Sequence, residues 1–123
     1  MNIRHTIFLV LLSISLAGCA ATVNSTKFDS VSRSATTGDI AIHTRPENVK
    51  RPYKEIGMIS VNDNEMGEWH LSSEDKLMQK LITKGREMGA DAIILSNPET
   101  RSRNYGLGSG HSLVIRGTAI VFE

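Results

Sequence analysis

Cysteine, proline and aromatic residues are scarce in this chain of 123 residues: one Cys, three Pro, and one Trp, two Tyr and three Phe. A single cysteine excludes an internal disulfide framework. Charge of one sign is lacking as well. The formal charge is +1, and once Arg4 is set aside the remaining 13 Lys+Arg balance the 13 Asp+Glu. That neutrality argues against nucleic acid, which selects for a basic stripe, and against an acidic tail. Long hydrophobic runs are missing too. Ile7 to Leu12 is uninterrupted, and Ser13-Ile14-Ser15-Leu16 extends it to about eleven residues, which as a helix at ~1.5 Å per residue falls short of a ~30 Å hydrocarbon core. What remains is 40% hydrophobic and 22% charged, an ordinary globular balance at a length of about one domain.

The apolar run follows Met1-Asn2-Ile3-Arg4-His5, a polar start with one fixed positive charge, so residues 1–18 read as a secretory signal peptide. It ends in Leu16-Ala17-Gly18-Cys19, which resembles the bacterial lipobox. The chemistry suits these residue types. Cys19 offers a sulfur nucleophile for a diacylglyceryl group where a serine hydroxyl would be sluggish. Leu16, Ala17 and Gly18 form the signal-peptidase recognition sequence, the two small residues letting the backbone enter a protease cleft. The resemblance implies cleavage before Cys19 and acylation of its new α-amine, giving a membrane anchor of three acyl chains at ~0.8 kcal/mol per buried CH₂. Lipidation also consumes a thiol that would be a hazard in an oxidising compartment. Ala20 stands where an aspartate would favour inner-membrane retention, so the resemblance implies an outer-membrane location facing the periplasm. Ordinary signal-peptidase cleavage near Cys19-Ala20-Ala21 is the alternative.

After Cys19 the chain divides in two. Residues 19–37 are rich in Ser and Thr without a period and are expected to be a flexible tether reaching ~20–25 Å, whose far end Phe28 and Val31 could dock. Residues 38–123 are expected to be a small α+β domain: a β-α-β-β sheet of three to four strands with one helix packed on one face. Ile40-Ala41-Ile42 is a short strand candidate. Lys54 to Val61 reads as a central strand, with Ile56 and Met58 on one face and Gly57, Ile59 and Val61 on the other. Ser72-Ser73-Glu74-Asp75 fits a capping signature. Leu77, Met78, Leu81, Ile82 and Met88 recur at helical spacing, and Gly89 suits the residue just past a helix end, so a helix is expected over 73–88. Ala90 to Leu95 is the next strand, reached by a crossover long enough for a parallel βαβ unit. It should form an antiparallel hairpin with Leu113 to Phe122, whose Leu113, Ile115, Gly117, Ala119 and Val121 would lie under the helix. The opposite face is then expected to show Ile59, Val61, Ile93 or Leu95, Ile120 and Phe122, a patch large enough to need a cover: the 28–35 stretch, the Ile40 strand, or a second copy of the chain.

Chemical motifs are sparse. Gly106-Leu107-Gly108-Ser109-Gly110 lacks the strand before and helix after that a phosphate loop requires, and fits a hairpin tip. His43, His70 and His111 have no partner at metal-ligand spacing, and no nucleophile elbow or other catalytic set is present. No enzyme activity, cofactor or metal site is therefore expected, and Asp91 fits a turn contact. Arg45, Lys50, Arg51 and Lys54 cluster before the first long strand, and Arg101 and Arg103 sit in the late polar stretch. Against a plain solvated surface, Arg45, Lys50, Arg51, Arg101 and Arg103 are candidates for contact with an anion or a partner. Trp69, just before the helix, is either a lid on the core edge or a recognition anchor.

From Tyr53 to Phe122 the order is Tyr-Lys-Glu-Ile-Gly-Met-Ile-Ser-Val, a helix ending in Gly-Arg-Glu-Met-Gly-Ala-Asp-Ala-Ile-Ile, then Arg-Gly-Thr-Ala-Ile-Val-Phe. This resembles the small envelope domains of the RcsF-type stress lipoproteins and the YbjQ-like metal-binding proteins. The resemblance implies close packing at Gly57, Gly89 and Gly117 and names no active residue. The domain cysteines of the RcsF type are absent here. The expected function is a lipid-anchored, non-catalytic binding module with an envelope protein partner. The alternatives are an envelope-stress signalling lipoprotein and a self-assembling metal-binding domain.

Overall fold

The computed structural model describes residues 21–63, 74–105 and 108–123. In chain order these form β1 (Thr22–Lys27), β2 (Ala41–His43), a short 3-10 helix (Pro46–Asn48), β3 (Tyr53–Asn62), α1 (Glu74–Glu87), β4 (Ala92–Leu95), β5 (Glu99–Tyr105) and β6 (Gly108–Phe122). The strands make one sheet in the order β1-β3-β6-β4-β2, with β5 also paired to β6. The class is α+β with a single described helix on one face, as the sequence leads one to expect. Six strands build it, where three to four are expected.

The two additional strands are β1 and β5. β1 runs antiparallel to β3 from Thr22↔Asn62 to Lys27↔Gly57, so the fold starts inside the stretch read as a tether. β5 pairs with β6 from Glu99↔Val114 to Tyr105↔Gly108, turning much of the polar stretch after β4 into a ribbon. Gly108 and Gly110 belong to β6. Residues 106–107, at the expected hairpin tip, lie outside the described residues, as do the signal peptide, the lipobox, Trp69, His70 and the capping serines Ser72 and Ser73.

β3 and β4 both pair antiparallel with β6. They therefore run in the same direction, with β6 inserted between them, and the crossover through α1 spans an extra strand. A second parallel pairing joins β2 to β4, Ala41↔Ala92 to His43↔Ile94.

The core lies between α1 and the sheet. Leu77, Leu81 and Met88 pack on Ile56, Ile59, Val61, Ile93, Ile115 and Ala119, with Ile40 entering from the β2 side. A register shift between Glu55 and Gly57 puts an extra residue in β3, so Ile56 joins Ile59 and Val61 instead of alternating away from them. Gly57 is needed here: an added Cβ would collide with the end of Met88 and approach the Thr26 carbonyl oxygen at 2.5 Å.

The opposite face is smaller in apolar content than expected. Ile59, Val61 and Ile93 are fully buried beneath α1. Ala92, Ile94 and Ile120 form the second cluster, packed by Val49, Tyr53 and Phe122. Within the chain, Val49 beside the 3-10 helix packs on this cluster, whereas Ile40 enters the core on the helix side. Met58, 42% exposed, is the large apolar side chain left open on β3.

α1 ends in a hydrogen-bonded cap. The Ala90 amide donates to the Gly85 carbonyl and the Gly89 amide to that of Arg86, with Gly89 at φ +77°, a pair of bonds that satisfies carbonyls otherwise orphaned at a helix end. Residues 28–40 then strap across this end. The Phe28 amide donates to Ile56 O and the Thr36 amide to Arg86 O, while Thr36 Oγ1 donates to Ala90 O at 2.7 Å. Phe28 and Val31 remain about half exposed, at 50% and 49%. Backbone bonding, not burial of these two side chains, orders the strap.

Candidate functional site

The sheet has two ends with different contents. At one end Thr22, Asn62 and Val114 stand in a row across β1, β3 and β6. Here the chain enters from Cys19, three residues before Thr22. Three extended residues span at most ~10–11 Å, about half the expected tether. Beyond the row, β3 leaves with the Asp63 amide donating to Leu113 O, but β6 continues back to Gly108 paired with β5. At ~3.3 Å per residue the ribbon projects about 15–20 Å past the row. It carries Arg101 opposite Ser112 and Arg103 opposite Gly110. At its base Arg116 and Glu99 form an ion pair of 2.8 Å.

The same end holds two buried polar atoms without a hydrogen-bond partner among the described residues, Asn62 Oδ1 and Ser112 Oγ. Ser112 is 5% exposed. Nothing in the local sequence marks either residue, because their burial follows from a long-range pairing.

The other basic group occupies the far end. Arg51 lies over the Phe122 ring, its guanidinium carbon 4.4 Å from the centroid, a cation–π contact. Lys50 Nζ donates to the Glu47 carbonyl at 3.3 Å, and exposed Arg45 precedes the 3-10 helix. The stretch of β6 from Ser112 to Phe122 separates these groups by ~33 Å at ~3.3 Å per residue. Arg45, Lys50 and Arg51 therefore do not share a patch with Arg101 and Arg103. The long β6, whose pairing sets both positions, keeps them apart.

Lys54 belongs to a third set. Asp29 receives both guanidinium nitrogens of Arg33 at 2.9 Å and lies 3.3 Å from Lys54 Nζ. The Arg33 hydrogen bonds, aided by Lys54, hold the Asp29 carboxyl well below the usual carboxylate range, against partial desolvation. The Arg33 guanidinium is raised by the same bonds. Asp91 is tied to β6, not within a local turn: its amide donates to Ile120 O at 2.8 Å, and its Oδ2 accepts from the Phe122 amide at 2.9 Å.

His43 lies on β2 and His111 pairs opposite Ser102 on the ribbon. Among the described residues no three His, Cys, Asp or Glu side chains gather as a metal site would need. A groove of about 320 Å³ runs between β1 and α1, lined by Val23, Gln79, Lys80, Thr83, Lys84 and Glu87. Lys84 and Glu87 pair within it at 3.1 Å. Val23 is the one apolar residue among those that line it.

No family model matches the chain, and none of the curated proteins matches it. Among solved structures the fold is similar to the crystal structure of a Francisella virulence factor, FvfA, at 14% sequence identity, with 81% of this chain and 97% of that chain covered and a TM-score of 0.57. At that identity the likeness is one of fold.

Proposed function

We propose that this chain is a lipoprotein of the bacterial envelope, anchored through Cys19 to the periplasmic face of the outer membrane, whose domain acts as a non-catalytic binding module. The observation that carries the reading is Leu16-Ala17-Gly18-Cys19, with the chain's one cysteine placed where an apolar run of signal-peptide length stops. A sheet that begins at Thr22 agrees with it, since a fold starting so soon after Cys19 leaves the whole domain on the exported side of a cleavage there. The binding role is supported by how the domain uses its charged groups. Asp29 with Arg33 and Lys54, and Arg86 with Asp39, fasten the strap, and Asp91 fastens the end of β6, while Arg45, Lys50 and Arg51 are exposed at an end suited to contact.

Membrane fractionation tests this. The wild-type chain should band with outer-membrane markers in a density gradient, Cys19→Ser should abolish membrane attachment of the processed form, and Ala20→Asp should shift the protein to the inner membrane. A Cys19→Ser chain that still fractionates as mature, membrane-bound protein overturns the reading.

A further inference from the structure

The sheet order ends in β1 on one side and β2 on the other, and the two edges are built differently. β2 is three residues long, and a very short edge strand is one way a sheet is kept from pairing with another chain. β1 runs six residues, Thr22–Lys27, without a proline and in unbroken register against β3. The Phe28 amide donates to Ile56 O. Counting back two residues at a time from that bond, Thr26 and Asn24 turn their backbone groups toward β3. Val23, Ser25 and Lys27 therefore turn theirs to the outer edge. Among the described residues, no strand pairs with that edge.

α1 leaves room beside it. Gly85 packs against Ile93 and Ile40, which turns that flank of the helix toward β4 and β2. The opposite flank overlooks β1 across the groove of about 320 Å³, to which it contributes Lys80, Thr83, Lys84 and Glu87. The groove has charge of one sign to offer. Lys84 and Glu87 satisfy each other at 3.1 Å, whereas Lys80 and Lys27 have no ion pair among the described residues. The acids of the first turn, Glu74 and Asp75, lie about 120–140° around the helix from Lys80 at ~3.6 residues per turn.

Resting on the binding-module part of the proposed function and not on its anchor, we propose that an extended, acidic segment of a partner protein adds to β1 as a further strand, in the groove beneath α1. Main-chain bonds to Val23, Ser25 and Lys27 supply the affinity, and carboxylates on the side of the segment that faces α1 meet Lys80 and Lys27. A second copy of β1 fits this place less well, because Thr-Val-Asn-Ser-Thr-Lys brings a lysine and no acid.

Peptide titration of the full mature chain in detergent, read by affinity and by amide exchange at single residues, tests this. The probe is a capped hexapeptide alternating Thr with Val, Glu and Glu, which puts the apolar and acidic side chains on one face. A version with Lys in place of Glu and a version N-methylated throughout serve for comparison. The acidic probe should bind saturably and slow exchange at Val23, Ser25 and Lys27, and raised salt should weaken it. The Lys version should bind about 10-fold more weakly and the N-methylated version not at all. Lys80→Gln should cost about 2–5-fold in affinity. Ser25→Pro should cost about 10-fold, since proline is tolerated on an edge strand where its nitrogen faces outward. An unchanged thermal melt separates either loss from misfolding. Absence of saturable binding by the acidic probe up to millimolar concentration overturns the proposal and leaves lipid anchoring, read by fractionation, standing. Equal affinity for the acidic and Lys versions overturns the charge recognition. Binding that perturbs Arg51 and Phe122 while the three β1 amides exchange as before overturns the groove in favour of the far end. Protection of those amides that grows with protein concentration in the absence of peptide, with a dimer in sedimentation, overturns the partner segment in favour of a second copy. A Cys19→Ser chain that stays membrane-bound yet binds the probe supports the groove and overturns only the anchor.

Discussion

Gly89 and Asp29 show how much single positions carry. Gly89 holds φ +77° between Arg33 Cβ and Ser34 O, each 2.7 Å from where a Cβ would stand. Left-handed backbone costs an L-residue about 1–2 kcal/mol, so Gly89→Ala should lower the melting temperature by at least about 4–8 °C, the shift expected per kcal/mol in a domain of this size. A melt unchanged within error would contradict the cap. Asp29 makes a pH prediction. Its folded pKa lies below the ordinary 3.8 because of Arg33 first and Lys54 second. As pH falls, the unfolded carboxyl takes up its proton before the folded one does. The stabilisation is therefore complete above about pH 5 and declines as pH drops through 4 toward the depressed folded value. Urea titrations should show the wild type more stable than Asp29→Asn near neutrality, with the gap closing in acid. A gap that widens in acid would reverse the sign and refute the assignment. Gly89 was legible in the sequence because a glycine after an amphipathic run has one common use. Asp29 was not, since Arg33 is near in sequence but Lys54 arrives only through the β1–β3 pairing.

Elements divide along the same line. α1, β3, β4 and the C-terminal part of β6 carry apolar periodicity because each has a face in the core, and the sequence shows all four. β1 and β5 read Thr-Val-Asn-Ser-Thr-Lys and Glu-Thr-Arg-Ser-Arg-Asn-Tyr. Such strands satisfy their backbone by pairing while most of β1 faces water, so no alternation announces them. The shift at Ile56 was hidden as well, since a bulge is visible only in the register of both strands. The strap of residues 28–40 is held by a few bonds, and it offers the clearest test at this scale. Thr36→Val keeps the shape and removes the 2.7 Å bond from Oγ1 to Ala90 O. A loss of about 0.5–1.5 kcal/mol is expected, with faster amide exchange at Thr36 and Gly89. Unchanged exchange at both amides would show that the strap is fastened elsewhere.

For the molecule as a whole, topology rearranges what the sequence lists in order. Two basic groups that look like parts of one surface lie at opposite ends of β6, and a polar stretch that reads as a loop becomes the ribbon nearest the chain's entry point. On the sheet face opposite the helix, Ala92, Ile94 and Ile120 are packed by Val49, Tyr53 and Phe122 from within the chain. Only three residues separate Cys19 from the first strand residue, Thr22, so the proposed anchor would hold the domain on a short link and not a loose leash. The intact mass of the mature chain purified from membranes decides the matter most directly. A polypeptide beginning at Cys19, heavier than its sequence by a diacylglyceryl group and an amide-linked acyl chain, is the predicted result. A mature chain with an unmodified Cys19 thiol, or one cleaved elsewhere, would contradict lipid anchoring.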